Sequence, residues 1–547
     1  MTSMLLAVAQ VGVTLAVACG QGWLLVAPRR DARFDATNVC LAILAGLATS
    51  IIVLYSAIDL IGRAVFVVPI VLGVAGWLRF GVDALRAMRS GVTDPRVSAV
   101  SAICFALIAA IMLAAVVRLE YPLGHDLVFH SFLTDKIIES GRLPGDWKPW
   151  APISVNYTLG LHLVAAFLAR WTGLTAPRVF EALHFWLGLL TLAPLYLVAR
   201  RFLSEARGAL AVVALWTFCA NYGSFFSYFA WGGLPTVLSQ AFFLGAILLL
   251  ADEDRMPRAS LLAGALLAAL VMVSHLGAVI AAWVLGAYVI VALIVPAERE
   301  SARFLLTSVL WQAVLAAPFL FHYVRKMATI MTTRALRYGD DPPLSLDDVV
   351  RSIGLPLLPI LVIGVIAAVK SPRSVRNRLL LGVWIVALVA GLVFWDRIYR
   401  WYSLATTDVA FAAFTPGRFL TVASYPLAIL AAAWVGSDLL RARPRVRAAA
   451  AALAFIACVA GFALYATPAL RAQTIAGDRV RLYEWVRANT SEDGFVLYDI
   501  PLENGWWRYY VVRRMTCNPP IPASEPTNES VFLEMAEICG ARDPARL

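Results

Sequence analysis

Apolar runs of about 20 residues, separated by short arginine-bearing loops, recur along this chain and decide what it folds into. A helix of that length crosses the roughly 30 Å hydrocarbon core of a bilayer. Of the 547 residues, 61% are hydrophobic and 15% charged, against roughly 25% charged in a soluble domain. A membrane β-barrel would show short alternating segments instead. The reading is an all-α polytopic membrane bundle of about 13–14 transmembrane helices. Spans are expected near 4–26, 39–58, 64–78, 98–118, 178–199, 209–222, 235–251, 259–274, 277–296, 305–322, 353–369, 379–395, 419–437 and 448–467. Met1 to Trp23 has no basic segment before its apolar run, so it reads as a retained first span.

The net charge of +11 comes mostly from arginine. Arginines on short loops orient membrane proteins, which accounts for the excess without nucleic acid; no stretch joins a basic patch to a nucleic-acid-binding module. One set of loops holds Arg29, Arg30 and Arg33; Arg79, Arg86, Arg89 and Arg96; Arg200, Arg201 and Arg207; Arg255 and Arg258; Arg299 and Arg303; Lys370 to Arg378; and Arg441 to Arg447. These are assigned to the cytoplasm. The alternating set, 119–177, 223–234, 323–352 and 396–418, is longer and richer in aromatics and faces outside, as does the tail after 468.

A full span at 154–169 would move every later basic loop to the wrong side. The first outside loop therefore carries two helices, 127–141 and 154–170, lying at the outer surface or re-entering from it. His162 and Asn156 fit that placement better than burial in lipid. Three parts follow: accessory N-terminal spans over 1–97, a membrane module over 98–467 containing the loop 119–177, and a small α/β extracytoplasmic tail over 468–547. In the tail, Asp478–Asn489 has helical spacing, Phe495–Tyr498 reads as a short strand, and Arg513–Thr516 is the start of another.

Seven cysteines are present. Cys19, Cys40, Cys104, Cys219 and Cys458 lie in or beside spans and read as small core residues. Cys517 and Cys539 share the exported tail, where a disulfide is permitted. There is no Cys/His metal spacing, and no metal site is assigned.

Ionisable groups concentrate at the outer boundary, where they carry a solvation cost and so point to function. The segment Gly124-His125-Asp126-Leu127-Val128-Phe129-His130 sets a carboxylate between two imidazoles just after a span. On a helix beginning there, His130 lies one turn beyond Asp126 on the same face. A partly desolvated carboxylate is a competent general base. His125 or His130 then positions it or meets a phosphate. The same loop holds Tyr157 and His162, and the turn Tyr228–Pro235 presents Trp231, an aromatic face of the kind sugars stack on. An interfacial aromatic belt explains the same residues. His275 follows Ser274 at a further outer turn, as a cavity-lining pair or an ordinary turn. Arginines on the outside run against the topology rule. Of these, Arg334, Arg337, Arg397 and above all Arg418 are assigned to a phosphate, with snorkelling to headgroups as the alternative.

These features together resemble the GT-C superfamily of integral-membrane glycosyltransferases: a multi-span bundle, a large first outside loop with an acid directly after a span, surface helices in that loop, and Gly-rich aromatic outer turns. The resemblance covers roughly 98–467. It implies inverting transfer of a sugar from a polyprenyl-phosphate donor to a glycan, lipid or protein acceptor outside the cytoplasm, at a bacterial cell membrane, with Asp126 as the base. Oligosaccharyltransferase-type members carry a second acidic motif in a later outer loop for a divalent metal. The loop 223–234 here has no acid, which favours metal-independent transfer without a cofactor. Asp340, Asp341, Asp347 and Asp348 read instead as caps or partners of nearby arginines. Two other readings stand beside this one. A flippase for a lipid-linked sugar would use Glu181 and His184 within a span; a non-catalytic subunit would use the tail cluster Trp506-Trp507-Arg508-Tyr509-Tyr510 as a binding surface.

Overall fold

The computed structural model describes residues 2–26, 36–89, 99–119, 126–147, 151–330 apart from 156, 204 and 253–257, 345–405 apart from 372–374 and 376, and 417–471. It also describes short pieces of the tail at 481–482, 485, 488–489, 495–496 and 514–515. Among the described residues, six continuous helical stretches are long and apolar enough to cross a membrane, or eight if each of two bent pairs is one span. Shorter apolar helices at Ser101–Val116, Ala206–Phe218, Leu234–Leu250, Ala259–Val273 and Arg378–Phe394 pack among them.

The chain begins with α1 (Thr2–Cys19), α2 (Gly22–Val26), α3 (Ala36–Ile61) and α4 (Val68–Arg89). Residues 36–86 are helical without a gap, 51 in all. As a straight rod they would be about 77 Å long, more than twice the hydrocarbon core. They are not straight. Gly46 abuts the backbone of Cys19, while Gly73 abuts that of Val17. Two sites 27 residues apart therefore meet neighbouring points of α1. The chain doubles back in the 3-10 turn Gly62–Val67, where Gly62 takes a φ of +59°. Gly22 on Ala42 and Gly76 on Gly20 continue the same small-residue contact, the means by which helices approach closely where lipid supplies no hydrophobic drive.

After α5 (Ala99–Val116), the first large loop folds as α6 (Asp126–Ser140), a hairpin of β1 (Asp146–Trp147) and β2 (Ala151–Ser154), and α7 (Gly160–Thr172). Gly141 ends α6 at φ +67°, its N–H donating to the Ile137 carbonyl at 2.9 Å. Lys136 ties α6 to the hairpin through the carboxylate of Asp146 at 3.1 Å. The helix expected over 154–170 is shorter: residues 151–154 are strand, and helix starts at Gly160. The stretch from Pro152 through Ile153, Val155 and Thr158 is rich in β-branched residues, which favour extended backbone.

The two loop helices are also deeper than a surface placement implies. Leu127, Val128, Leu133 and Ile137 of α6 are each 0% exposed, and His162 on α7 is fully buried rather than at the surface. The apolar side of α6 packs on α7 and α8 (Ala176–Phe202), so protein rather than lipid covers it. Each such side chain taken from water contributes roughly 1.5–3 kcal/mol. α7 nonetheless does not cross the bundle. Its start touches the Met272 carbonyl through Gly160, and at its end the Trp171 indole donates to the Phe66 carbonyl at 2.9 Å. Both points are inter-helix turns at one end of the molecule.

The rest of the bundle is α9 (Ala206–Phe218), α10 (Phe225–Trp231), α11 (Leu234–Leu250), α12 (Ala259–Val273), α13 (His275–Ile294), α14 (Arg299–Leu315), α15 (Ala317–Ile330), α16 (Leu346–Ile353), α17 (Leu357–Lys370), α18 (Arg378–Ala405), α19 (Gly417–Ala431), α20 (Asp438–Arg441), α21 (Pro444–Gly461) and α22 (Thr467–Arg471). Two helix pairs are bent: the span expected near 305–322 is broken by 65° at Ala316, whereas the 86° bend between α16 and α17 falls at the start of the span expected at 353–369, the rest of which α17 fills. Gly354 makes the second bend at φ +104° beside the Cys219 carbonyl. Ahead of it, Ser345 and Asp348 form a capping box and Asp347 pairs with Arg351 at 2.7 Å, the structural roles expected for these two acids. Asp340 and Asp341 lie outside the described residues.

The turns sort into two ends. At one, Leu143 N–H donates to Asp59 at 2.9 Å, Arg63 meets the Glu139 carbonyl, and the 157–160 turn meets 272–273. At the other, Arg201 pairs with Asp252 at 3.1 Å, Leu203 bridges to Val375, Arg441 pairs with Glu205, and the Asp438 N–H donates to Ser371 at 3.0 Å. The second group comes from the arginine-rich loops; the first joins the loop 119–177 to the turns near 59–66 and 272–275. In the tail, Phe495–Val496 pairs in parallel with Arg514–Met515; most of the expected domain, with Cys517 and Cys539, lies outside the described residues.

Candidate functional site

Asp126 is the first residue of α6, half-buried, with its carboxylate at the positive end of the helix dipole. One turn on, His130 is buried, and its Nδ1 lies 3.0 Å from Nε2 of His162. Burial lowers the pKa of His130 from 6.5 to about 3. Burial, then the neighbouring His130, holds that of His162 well below the ordinary range. Both imidazoles are neutral at physiological pH, so a single hydrogen joins them. His162 Nδ1 is buried without a hydrogen-bond partner.

Tyr157 sits between three imidazoles. Its ring centroid is 5.5 Å from that of His130, 5.7 Å from His162 and 5.6 Å from His275. Local chemistry brings these segments together. The Thr158 hydroxyl donates to the Val273 carbonyl at 2.9 Å, which pins the turn before α7 to the end of α12. Gly160 permits that approach, since a Cβ there would press on the Met272 carbonyl. Ser274 then caps α13 by accepting the Gly277 N–H at 3.0 Å, which places His275 at the start of that helix.

On α6, α8 and α11, of which α6 and α11 each pack against α8, several buried side chains carry polar atoms without a hydrogen-bond partner. They are Ser131 Oγ and Thr134 Oγ1 on α6, both oxygens of Glu181 and both ring nitrogens of His184 on α8, and Gln240 Oε1 on α11. Glu181 is 0% exposed and His184 2%. An unpaired buried polar group costs roughly 1–3 kcal/mol, so these positions are candidates for contact with polar ligand atoms. Glu181 and His184 lie three residues apart on one face of α8, the face that meets α6 through Phe180 and His130 and meets α10 through His184 and Phe229, 5.1 Å between ring centroids. Ser131, Thr134 and Gln240 were missed by sequence reasoning. Gln240 sits in a largely apolar run, where the only signal is an amide out of keeping with its neighbours, and Ser131 and Thr134 are small hydroxyls that local spacing does not set apart.

Other expected residues fall elsewhere. Trp231, on α10, packs on Tyr228, with 5.7 Å between ring centroids. Arg418 is the second residue of α19, one turn before Thr421, whose carbonyl accepts the Tyr228 hydroxyl at 3.4 Å; its backbone therefore lies on the α10 side of this end. Arg397 lies in the final third of α18, some 29 Å along the helix from Arg378 at the arginine-rich end. His125, Arg334 and Arg337 lie outside the described residues. A cleft of about 470 Å³ lined by Asp252, Glu298, Asn377 and Arg378 opens at the arginine-rich end, away from the cluster.

No family model matches the chain, and no curated protein matches it. Solved structures do. ArnT from Cupriavidus metallidurans bound to undecaprenyl phosphate superposes with a TM-score of 0.51 at 14% identity, covering 82% of this chain and 89% of that one. The apo state of the same protein gives 0.50 at 14% identity, over 76% and 85%. The archaeal oligosaccharyltransferase AglB from Archaeoglobus fulgidus, in complex with an inhibitory peptide and a dolichol-phosphate, gives 0.47 at 13% identity, over 76% and 64%. At these identities the likeness is one of fold alone: this chain shares its overall membrane architecture with ArnT.

Proposed function

We propose that this protein is a membrane glycosyltransferase that moves a sugar from a polyprenyl-phosphate donor to a glycan, lipid or protein acceptor outside the cytoplasm, with inversion and with Asp126 as general base. The observation that carries the reading is the placement of Asp126. It stands half-buried at the head of a helix whose next turn carries His130, paired with His162, followed by the unpartnered hydroxyls of Ser131 and Thr134. The fold shared with ArnT, solved with undecaprenyl phosphate, supports the choice of carrier.

In this reading Asp126 takes the proton of the acceptor hydroxyl. The oxygen attacks the anomeric carbon opposite the phosphate, the carbon–oxygen bond to phosphate breaks, and the polyprenyl phosphate departs as an anion. Phosphate is a stable leaving group, so fixed positive charge serves it better than an acid; Arg334, Arg337, Arg397 and Arg418 are assigned there. The poor nucleophile is the acceptor, which is why the base is spent on it. His125, His130, His162, His275, Tyr157 and Trp231 are assigned to the bound sugars, the imidazoles as hydrogen-bond partners and the aromatics as stacking faces. The acid-free loop 223–234 supports transfer without a metal. We also assign the shorter apolar helices as crossing, residues 1–97 as accessory spans to the module 98–467, and the tail 468–547 as a small extracytoplasmic domain on the same side as Asp126, at a bacterial cell membrane.

The unpartnered Glu181 and His184 inside α8 favour one second reading, translocation of a lipid-linked sugar. One comparison separates the two. Asp126→Asn is expected to lower sugar transfer in isolated membranes at least about 100-fold while co-purified polyprenyl phosphate is unchanged. Full transfer by Asp126→Asn, together with loss of lipid translocation in Glu181→Gln, overturns the enzyme reading.

A further inference from the structure

Two thiols distant in the chain meet where α21 crosses the end of α9. The sulfurs of Cys219 and Cys458 lie 3.7 Å apart although 239 residues separate them. Cys219 is buried at the C-cap of α9, and Cys458 is partly exposed on α21. A second observation shows that the backbones are built to meet here. Gly461, three residues beyond Cys458 on the same face of α21, abuts the Phe218 carbonyl, and a Cβ on it would stand 3.1 Å from the Cys219 Cα. Any side chain at 461 would hold the helices apart. The crossing also joins parts that matter to the bundle. The Cys219 carbonyl faces the sharp bend at Gly354, and α9 leads through 219–224 into α10. Beyond Gly461, α21 passes through the π-helical turn Phe462–Ala466 into α22, where Arg118 donates to the Ala469 carbonyl at 3.3 Å.

We propose that Cys219 and Cys458 are a disulfide-forming pair, and that the bond staples the helix preceding the tail to α9. A disulfide needs the sulfurs at about 2.05 Å, a closure of under about 2 Å shared between two side chains. In the step each thiol gives up its hydrogen and the sulfurs join; two protons and two electrons pass to the oxidant. With molecular oxygen, four thiols yield two disulfides and two waters. With an organic disulfide, one protein disulfide and two small thiols result. The proposal is independent of the transfer activity.

The test uses the full chain in its membrane. It is oxidised with oxygen and copper(II) phenanthroline, which enters apolar regions, then blocked with N-ethylmaleimide and digested without reductant. The expected product is a peptide joining Cys219 to Cys458 that disappears on reduction. The oxidised protein in detergent is expected to unfold several degrees above the reduced protein, a difference that Cys458→Ser removes. Recovery of both peptides as maleimide adducts after oxidation overturns the pairing, as does a link from Cys219 to another cysteine. A link that leaves the unfolding temperature unmoved overturns the staple. Should Cys458→Ser not accumulate, Cys458→Ala replaces it, and the peptide readout stands on the unsubstituted chain.

Discussion

His130 carries a stability cost that pH exposes. Its imidazole titrates near 6.5 in the unfolded chain but only near 3 when folded, because burial disfavours the charged form. The lowered folded value means the unfolded state binds the proton first as pH falls. Stability is therefore fully present above about 6.5 and drains away toward 3, at roughly 1.4 kcal/mol per pH unit for one such group. His162, shifted the same way, adds to it. The midpoint of thermal unfolding in detergent is expected to fall between about pH 7 and about pH 5, and to fall less in His130→Gln. An equal fall in both would remove His130 as a source. Residues of this kind were legible because a histidine or acid within a largely apolar segment stands out: Asp126, His130, Tyr157, His162 and His275 were each singled out, and His130, Tyr157, His162 and His275 meet. Their pairing was not legible. It depends on the contact of α6 with α7 and on Thr158 gripping Val273, neither of which any local spacing encodes.

Elements were legible where hydrophobic period and helix ends agree. The helix expected over 127–141 is observed as Asp126–Ser140, closed by Gly141 as a left-handed residue. The misplaced start of α7 and the two bent helices have a common cause: apolar content marks a buried segment but does not say whether its backbone is straight, extended or broken. Glycine contacts decide which helices touch, and they separate by position. A Cβ at Gly160 presses on the Met272 carbonyl, whereas one at Gly286 meets nothing within 4 Å. Gly160→Leu is expected to drive α7 off α12 and carry Tyr157 away from His275, lowering the yield of monodisperse protein on size-exclusion chromatography severalfold. Gly286→Leu, on an open face of α13, is expected to elute as the unsubstituted protein does. Equal behaviour of the two would mean that the α7–α12 contact does not hold the loop in place.

At the scale of the whole molecule, the two ends of the bundle are defined by turns that touch one another. Asp59 with Leu143, Phe66 with Trp171 and Thr158 with Val273 close one end; Arg201 with Asp252, Glu205 with Arg441 and Ser371 with Asp438 close the other. The arginine-rich loops assigned to the cytoplasm supply the contacts at the second of these ends, and the loop 119–177 assigned outside supplies contacts at the first. Geometry says which turns share an end; which end faces the cytoplasm is the expectation drawn from charge. The product of the two is testable because each end offers exposed positions. Ser140 lies exposed at the end of α6, and Arg443 is exposed between α20 and α21. In a background without other reactive cysteines, Ser140→Cys is expected to react with a membrane-impermeant maleimide on intact cells, and Arg443→Cys only after permeabilisation. Asp126 heads the helix that Ser140 ends, and α6 lies among turns of a single end, so the labelling side of Ser140 is the side from which the acceptor reaches the carboxylate. Labelling of Arg443→Cys but not Ser140→Cys on intact cells would put that carboxylate in the cytoplasm, where the proposed acceptors are not found.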